Sequence, residues 1–176
     1  MQFTSLHAIV INRRSVKEAD RFYTLFTLER GKLDVYARGV RSLKSKRNSS
    51  LDLYSQITCQ IVDQHNHLTL MSVELTNSHA AGKGTLVDIS RLFQLGELID
   101  ALLPEDDPHP EVYELLTTAL THLHRFDTPD YLFRFKCKLL QLLGYWDTTI
   151  TLDSIDDYIS SLLSRPLRSG NILSNL

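Results

Sequence analysis

Residues 20–38 read DRFYTLFTLERGKLDVYAR, and their reading decides the fold class. Residues 20–28 are aromatic and β-branched, with Phe22, Phe26 and Leu28 on one parity, so they predict a strand. Glu29-Arg30-Gly31-Lys32 has the composition of a turn, with Gly31 available for a positive φ. Residues 32–38 then alternate cleanly: Leu33, Val35 and Ala37 against Lys32, Asp34, Tyr36 and Arg38.

Further strands lie on both sides. Residues 5–12 (SLHAIVIN) are apolar and β-branched. Residues 51–62 put Leu51, Leu53, Ile57, Cys59 and Ile61 on one face, and a polar turn at 63–66 leads into a fifth strand at 67–76. There Leu68 and Leu70 share one parity while Met71, Val73 and Leu75 share the other, which predicts a bulge or a sharply coiled strand. Five short strands with a long connection after the third fit a small closed barrel. The OB-fold is the commonest such form, and an SH3-like barrel is its rival on pattern alone.

From residue 88 the apolar period becomes helical. Asp88 or Ser90 caps a first helix ended by Pro104, and PEDDPHP (104–110) reads as a turn. Val112, Leu115, Leu116, Ala119, Leu120 and Leu123 form a second stripe. Thr128-Pro129 opens a third helix that Gly144 ends, and Ile155 to Leu163 make a fourth before Pro166. The predicted architecture is α+β: a five-stranded N-terminal OB-fold over 1–79 and a C-terminal helical bundle over 80–176. The boundary falls near SHAAGKGT (78–85), where glycines and small residues interrupt both periods.

The 176 residues are 43% hydrophobic and 23% charged, an ordinary globular composition long enough for a real core. No apolar run is long enough to span a membrane, and the start, MQFTSLHAIVINRR, is a poor secretory signal, so a cytoplasmic protein is expected. Cys59 and Cys137 lie in apolar segments and read as buried reduced thiols. No CxxC pair occurs, which excludes a zinc ribbon.

The net charge of −2 hides an asymmetry. Residues 1–50 hold 11 Lys/Arg against 4 Asp/Glu, residues 51–80 none against 3, and residues 81–176 hold 8 against 14. A basic face on an acidic body suits a polyanionic partner. ARGVRSLKSKRNSS (37–50) holds Arg38, Arg41, Lys44, Lys46 and Arg47 in the long connection after the third strand. Arg13, Arg14 and Lys17 form a second cluster in the first turn. The outward parity of the second and third strands is read as Arg21, Tyr23, Lys32, Tyr36 and Arg38. Cations that follow a phosphate backbone, with Tyr23 and Tyr36 as rings for bases to stack on, suit single strands. The bland counterpart is a solubilising loop beside an ordinary barrel wall.

Other motifs point nowhere catalytic. GKGT (82–85) lacks the spacing of a phosphate loop and reads as a linker. His65 and His67 lack a third metal ligand, His122 and His124 fall on different helix faces, and Glu105-Asp106-Asp107 reads as a solvated turn. Arg134, Lys136 and Lys138 sit on the most apolar helix. Arg134 and Lys138 at i, i+4 would make a cationic rim for an acidic peptide with a hydrophobic end, against the reading of snorkelling cations beside a core.

Residues 8–45 resemble the N-terminal signature of the RecO family of bacterial recombination mediators. The matching motifs are Glu18-Ala19-Asp20-Arg21, Leu25-Phe26-Thr27, Gly31-Lys32-Leu33, Ala37-Arg38-Gly39-Val40-Arg41 and Lys44-Ser45. EVYELLTTALTHL (111–123) and LFRFKCKLLQLLGY (132–145) are similar to segments of the family's helical domain. The resemblance implies an OB-fold followed by helices, and binding of single- and double-stranded DNA with annealing of complementary strands. It implies partnership with RecR in helping RecA displace the single-strand binding protein SSB, and in some members capture of the acidic C-terminal tail of SSB by the helical domain. It implies no cofactor. Many members carry a four-cysteine zinc element after L-L-G-Y; here that position reads WDTTITLDSIDD, so the zinc element is absent. The sequence is also shorter than the family's pattern.

The expected function is thus non-enzymatic DNA binding in recombinational repair, cytoplasmic and nucleoid-associated. Phosphate contacts are expected from Arg13, Arg14, Lys17, Arg21, Arg38, Arg41, Lys44, Lys46 and Arg47, and stacking from Tyr23 and Tyr36. Arg134 and Lys138 are the expected partner-binding pair. The alternatives are an adaptor for RecR and SSB with incidental DNA contact, and a metal-dependent nuclease built on the acidic half.

Overall fold

The computed structural model describes residues 3–16, 18–40, 47–64, 67–123, 130–146, 151 and 154–168, and of residues 47, 48 and 64 the backbone alone. The strands are β1 (Phe3–Ser15), β2 (Arg21–Thr27), β3 (Gly31–Ala37), β4 (Gln56–Gln64) and β5 (His67–Asn77). The helices are α1 (Arg47–Ser50), α2 (Leu86–Leu102), α3 (Pro110–His122), α4 (Asp130–Leu142) and α5 (Ile155–Leu163). Two compact units result. The first is Met1–His79 with Leu103–Pro110, the second Ala80–Leu102 with Glu111–Leu176.

In the first unit the strands close into a barrel of order β1-β2-β3-β5-β4, the arrangement of an OB-fold. β1 is long because it serves two neighbours: Phe3 to Ile9 pair with β4, and Ala8 to Ser15 with β2. Ile11 is the extra residue of a bulge on the β2 side, between the pairs Val10–Leu25 and Asn12–Thr24. Closure comes from two parallel pairs, Val35–Leu68 and Tyr36–Thr69. The phase switch in β5 is a bulge: Gln60 faces Ser72 and Ile61 faces Leu70, so Met71 is skipped and is 41% exposed.

The barrel core holds Leu6, Ala8 and Val10, Leu33 and Val35, Ile57, Cys59 and Ile61, and Leu70. From β2 it takes Tyr23 and Leu25, so the parity expected there is reversed. The strand is aromatic on both sides, and pairing with β3 chooses between them: Tyr23 lies opposite inward Val35, and Phe22 opposite outward Tyr36. β4 begins at Gln56 rather than residue 51, yet Leu51 still reaches the core from the connection before it. Burial pushes the Cys59 thiol up to about 12, so it is inert; Cys137 is only partly buried.

The PEDDPHP stretch is not a free turn. The Asp106 N–H donates to the Lys32 carbonyl at 2.9 Å, and the Arg30 guanidinium forks onto both Asp106 oxygens at 2.9 and 2.7 Å. Gly31 has φ +71°, and a Cβ there would lie 1.9 Å from the Asp107 carbonyl oxygen. Residues 103–110 therefore belong to the barrel unit through the β2–β3 turn.

In the second unit a 3-10 turn (Ala80–Lys83) precedes α2. Thr85 caps that helix: its Oγ1 accepts the Asp88 N–H at 3.1 Å and donates to Asp88 Oδ2 at 2.8 Å. The helix thus starts earlier than the apolar stripe alone predicts. Gly144, at φ +76°, turns the chain after α4, as its sequence predicts, and the Tyr145 N–H returns to the Leu140 carbonyl at 2.8 Å. The Thr128 cap expected for α4 lies outside the described residues.

Gly31→Ala is expected to cost about 2–4 kcal/mol of barrel stability, from a strained φ plus the collision with Asp107. Gly39→Ala, at φ +65° with no described residue within 4 Å of the added Cβ, should cost about 1 kcal/mol. Urea unfolding of the two variants measures the difference, and equal losses would mean that residues 103–110 do not crowd the turn.

Candidate nucleic-acid interface

Arg13 and Arg14 are neighbours on a strand, so their side chains leave on opposite faces. Arg13 pairs with the Tyr23 position and lies 3.7 Å from Asp52 Oδ1. Arg14 pairs with Phe22, and its Nη2 lies 2.8 Å from Asp34 Oδ2. The two arginines expected to act together are thus divided between faces, each beside a carboxylate. Exposed pairs of this kind contribute only about 0–1 kcal/mol, so a phosphate can displace either carboxylate.

Tyr23 is fully buried and offers no ring to a base, which corrects its expected stacking role. Its hydroxyl has no hydrogen-bond partner among the described residues. Lys32, expected to face outward, is 9% exposed. Arg21 is half-buried at the start of β2, and Arg38 is exposed just past the end of β3. Lys17, Arg41, Lys44 and Lys46 lie outside the described residues, and Arg47 opens α1 with its backbone alone described.

Where the basic connection leaves the barrel, one carboxylate organises the backbone. Asp20 is 9% exposed; it accepts the Tyr36 hydroxyl through one oxygen and the Gly39 N–H, at 2.7 Å, through the other. That hydrogen bond holds the Tyr36 phenol above its ordinary pKa. Gly39, at φ +65°, turns the chain immediately before the run of cations.

Tyr36 has company that the sequence reading missed. Phe22 packs on it with ring centroids 5.3 Å apart, and His67 meets it edge-on at 5.3 Å. The Arg14 guanidinium carbon sits 4.7 Å above the centre of the Phe22 ring. Cross-strand pairing sets Arg14, Phe22 and Tyr36 in one row across three strands. The parity of β3 carried the missing signal, because the residue opposite outward Tyr36 must itself face out.

The second unit holds an open groove of about 580 Å3 between α3 and α4, lined by Leu115, Ala119, Tyr131 and Phe135 with the polar Thr118, His122, Asp130 and Arg134. Tyr131 fixes its floor, the hydroxyl donating to the Ala119 carbonyl at 2.5 Å, and burial raises that phenol to about 12. Arg134 is exposed; Lys138 is exposed as well but does not line the groove. Lys136, midway between them, turns inward at 6% exposure and donates to Asp156 of α5 at 2.5 Å. It pins two helices and takes no part in a cationic rim.

The acidic turn does not converge on a metal position. Asp106 is bound by Arg30, and Asp107 lies 3.3 Å from His109 Nε2. Among the described residues no group of three or more His, Cys, Asp or Glu is placed to hold a metal ion. Among the same residues no helix is long and apolar enough to cross a membrane.

A closed OB barrel with an arginine and aromatic row on its outer wall, and a separate helical unit, define a class of two-unit OB-barrel proteins. Family models narrow it: "Recombination protein O N terminal" matches residues 1–79 and "Recombination protein O C terminal" residues 86–146. The chain belongs to the RecO family of DNA repair proteins.

Among curated relatives, it is 33% identical over 150 residues to the DNA repair protein RecO of Symbiobacterium thermophilum, a match covering 82% of this chain and 58% of that protein. It is 29% identical over 142 residues to that of Pelobacter propionicus, covering 80% and 58%. To that of Heliobacterium modesticaldum it is 33% identical over 145 residues, covering 82% and 53%. The chain therefore spans little more than half the length of the curated relatives it matches.

Asp156→Ala leaves the Lys136 ammonium buried without its carboxylate and is expected to cost about 1–3 kcal/mol or more. Lys136→Met, which removes the charge along with its need for a partner, should cost less. Urea denaturation of the full chain checks the order, and the reverse order would mean that the pair is not what holds α4 to α5.

Proposed function

We propose that this chain holds DNA as a recombination mediator and not as an enzyme. On this reading it binds single- and double-stranded DNA through the barrel unit, anneals complementary strands, and acts with RecR to help RecA onto SSB-coated DNA inside the cell. The observation that carries the reading is the exit of the basic connection. Asp20 and Gly39 launch the chain off an OB barrel at exposed Arg38, directly ahead of Arg41, Lys44, Lys46 and Arg47. Membership of a DNA repair family supports the same reading.

Phosphate contacts fall to those residues and to Arg14, Lys17 and Arg21, with Arg13 at the margin because it leaves on the other face. Tyr36 is the stacking ring retained from the sequence reading. Annealing follows from charge neutralisation: two strands that repel in solution are held together on cations that read no bases, so pairing decides which stay. No cofactor enters this chemistry.

A second reading concerns the helical unit. The α3–α4 groove is lined by Leu115, Ala119, Tyr131 and Phe135 together with the Arg134 guanidinium and the Asp130 carboxylate. It suits the SSB tail, whose hydrophobic end would fill the groove while its acidic residues meet Arg134; Lys138, off the groove, contributes at longer range.

Fluorescence polarisation of labelled single-stranded DNA over a salt series tests the first reading. Reversing Arg38, Arg41, Lys44 and Lys46 to Glu should weaken binding more than tenfold and flatten the salt slope by roughly three to four units. Unchanged slope and affinity would leave the barrel as a protein adaptor for RecR. For the groove, Arg134→Ala should weaken a labelled acidic tail peptide about tenfold while DNA affinity holds; equal peptide affinity would reject that assignment.

A further inference from the structure

The row Arg14–Phe22–Tyr36, extended by His67 at the start of β5, goes beyond phosphate contact. Three half-buried rings meet on the outer wall of the barrel, away from the core that the strands were selected to fill. Phe22 lies 5.3 Å from Tyr36 at 53°, and His67 meets both edge-on, at 6.4 Å from Phe22 and 5.3 Å from Tyr36. Tyr36 is locked by its hydroxyl on Asp20, so the cluster has a fixed wall.

The Phe22 ring face is occupied by a replaceable group. Arg14, whose side chain is 65% exposed, lies over it and is held there by Asp34 at 2.8 Å. Asp34 is itself positioned by the Thr24 hydroxyl, which donates to its other oxygen at 2.7 Å. A flat cation stacked on a ring occupies the space that a flat base would take. The contacts that keep it there, an exposed ion pair and an exposed cation–π contact, are both weak.

Resting on the DNA-holding reading above, we propose that Phe22, Tyr36 and His67 form a stacking site for one unpaired nucleobase. The base takes the place of the Arg14 guanidinium over Phe22, and Arg14 swings from Asp34 to the phosphate beside that base. A base inside a duplex is already stacked and paired and cannot enter. The site therefore gives this face a preference for single strands, whereas the basic connection holds either form. Stacking on an aromatic ring is worth roughly five- to hundredfold in affinity per base. Asp34 opposes the exchange, since its carboxylate both retains Arg14 and repels the incoming phosphate.

The test uses the full chain and three labelled probes of equal length: oligo-dT, an abasic strand with the same phosphates, and a duplex. The wild type should bind oligo-dT at least about fivefold more tightly than the abasic strand at moderate salt. Phe22→Ala should erase that margin and leave abasic and duplex affinities and their salt slopes unchanged. Phe22→Leu, which keeps apolar volume without a flat face, should do the same and guards against a folding defect. Asp34→Asn should raise oligo-dT affinity two- to fivefold. Equal binding of oligo-dT and the abasic strand by the wild type, or a margin that survives Phe22→Leu, overturns the stacking site while DNA binding stands. Failure to bind any probe overturns the DNA-holding reading and the stacking site with it.

Discussion

Two parallel residue pairs, Val35 with Leu68 and Tyr36 with Thr69, turn a meander into a closed barrel. Without them β3 and β5 would each present an open edge, and the inward side chains of five strands would have no common interior. The same pairs bring the first residue of β5 beside the outer wall of β2 and β3. His67 meets Phe22 and Tyr36 only because the sheet has gone full circle. Core and aromatic row are therefore consequences of one closure, reached between residues more than thirty apart in sequence.

The sequence was most informative where periods were unambiguous. The clean alternation of residues 32–38 placed Leu33, Val35 and Ala37 inside, and the shift of phase between Leu70 and Met71 is the bulge itself. It failed where both parities are apolar. In RFYTLFT nothing local separates Phe22 from Tyr23; the choice is made by the neighbour across the ladder. The adjacency of Arg13 and Arg14 invited a single patch, although the pleat of a strand sends consecutive side chains apart. The partner of the β2–β3 turn was not legible, because Asp106 lies 76 positions beyond Arg30 and turn composition says nothing about what a turn will meet.

Charge on the helices illustrates a second limit. The i, i+4 spacing of Arg134 and Lys138 puts them on one side of α4, and both are exposed. Lys136 between them looked equivalent in composition, but it is buried against Asp156 and works in the core. Only position relative to α5 distinguishes a cation left exposed from one that fastens helices. Likewise the groove is a property of two helices, α3 and α4, whose separate stripes do not announce the space between them.

The close approach of Asp107 to Gly31 bears on how the molecule is made. Homology divides the chain after residue 79, yet the barrel unit recruits a piece of backbone from between two later helices. During synthesis the last strand emerges from the ribosome well before that piece does, so the β2–β3 turn stays uncovered until Asp107 has followed. A gene fragment cut at the homology boundary would keep every strand and still lack the cover of its β2–β3 turn, leaving Arg30 without the carboxylate it grips.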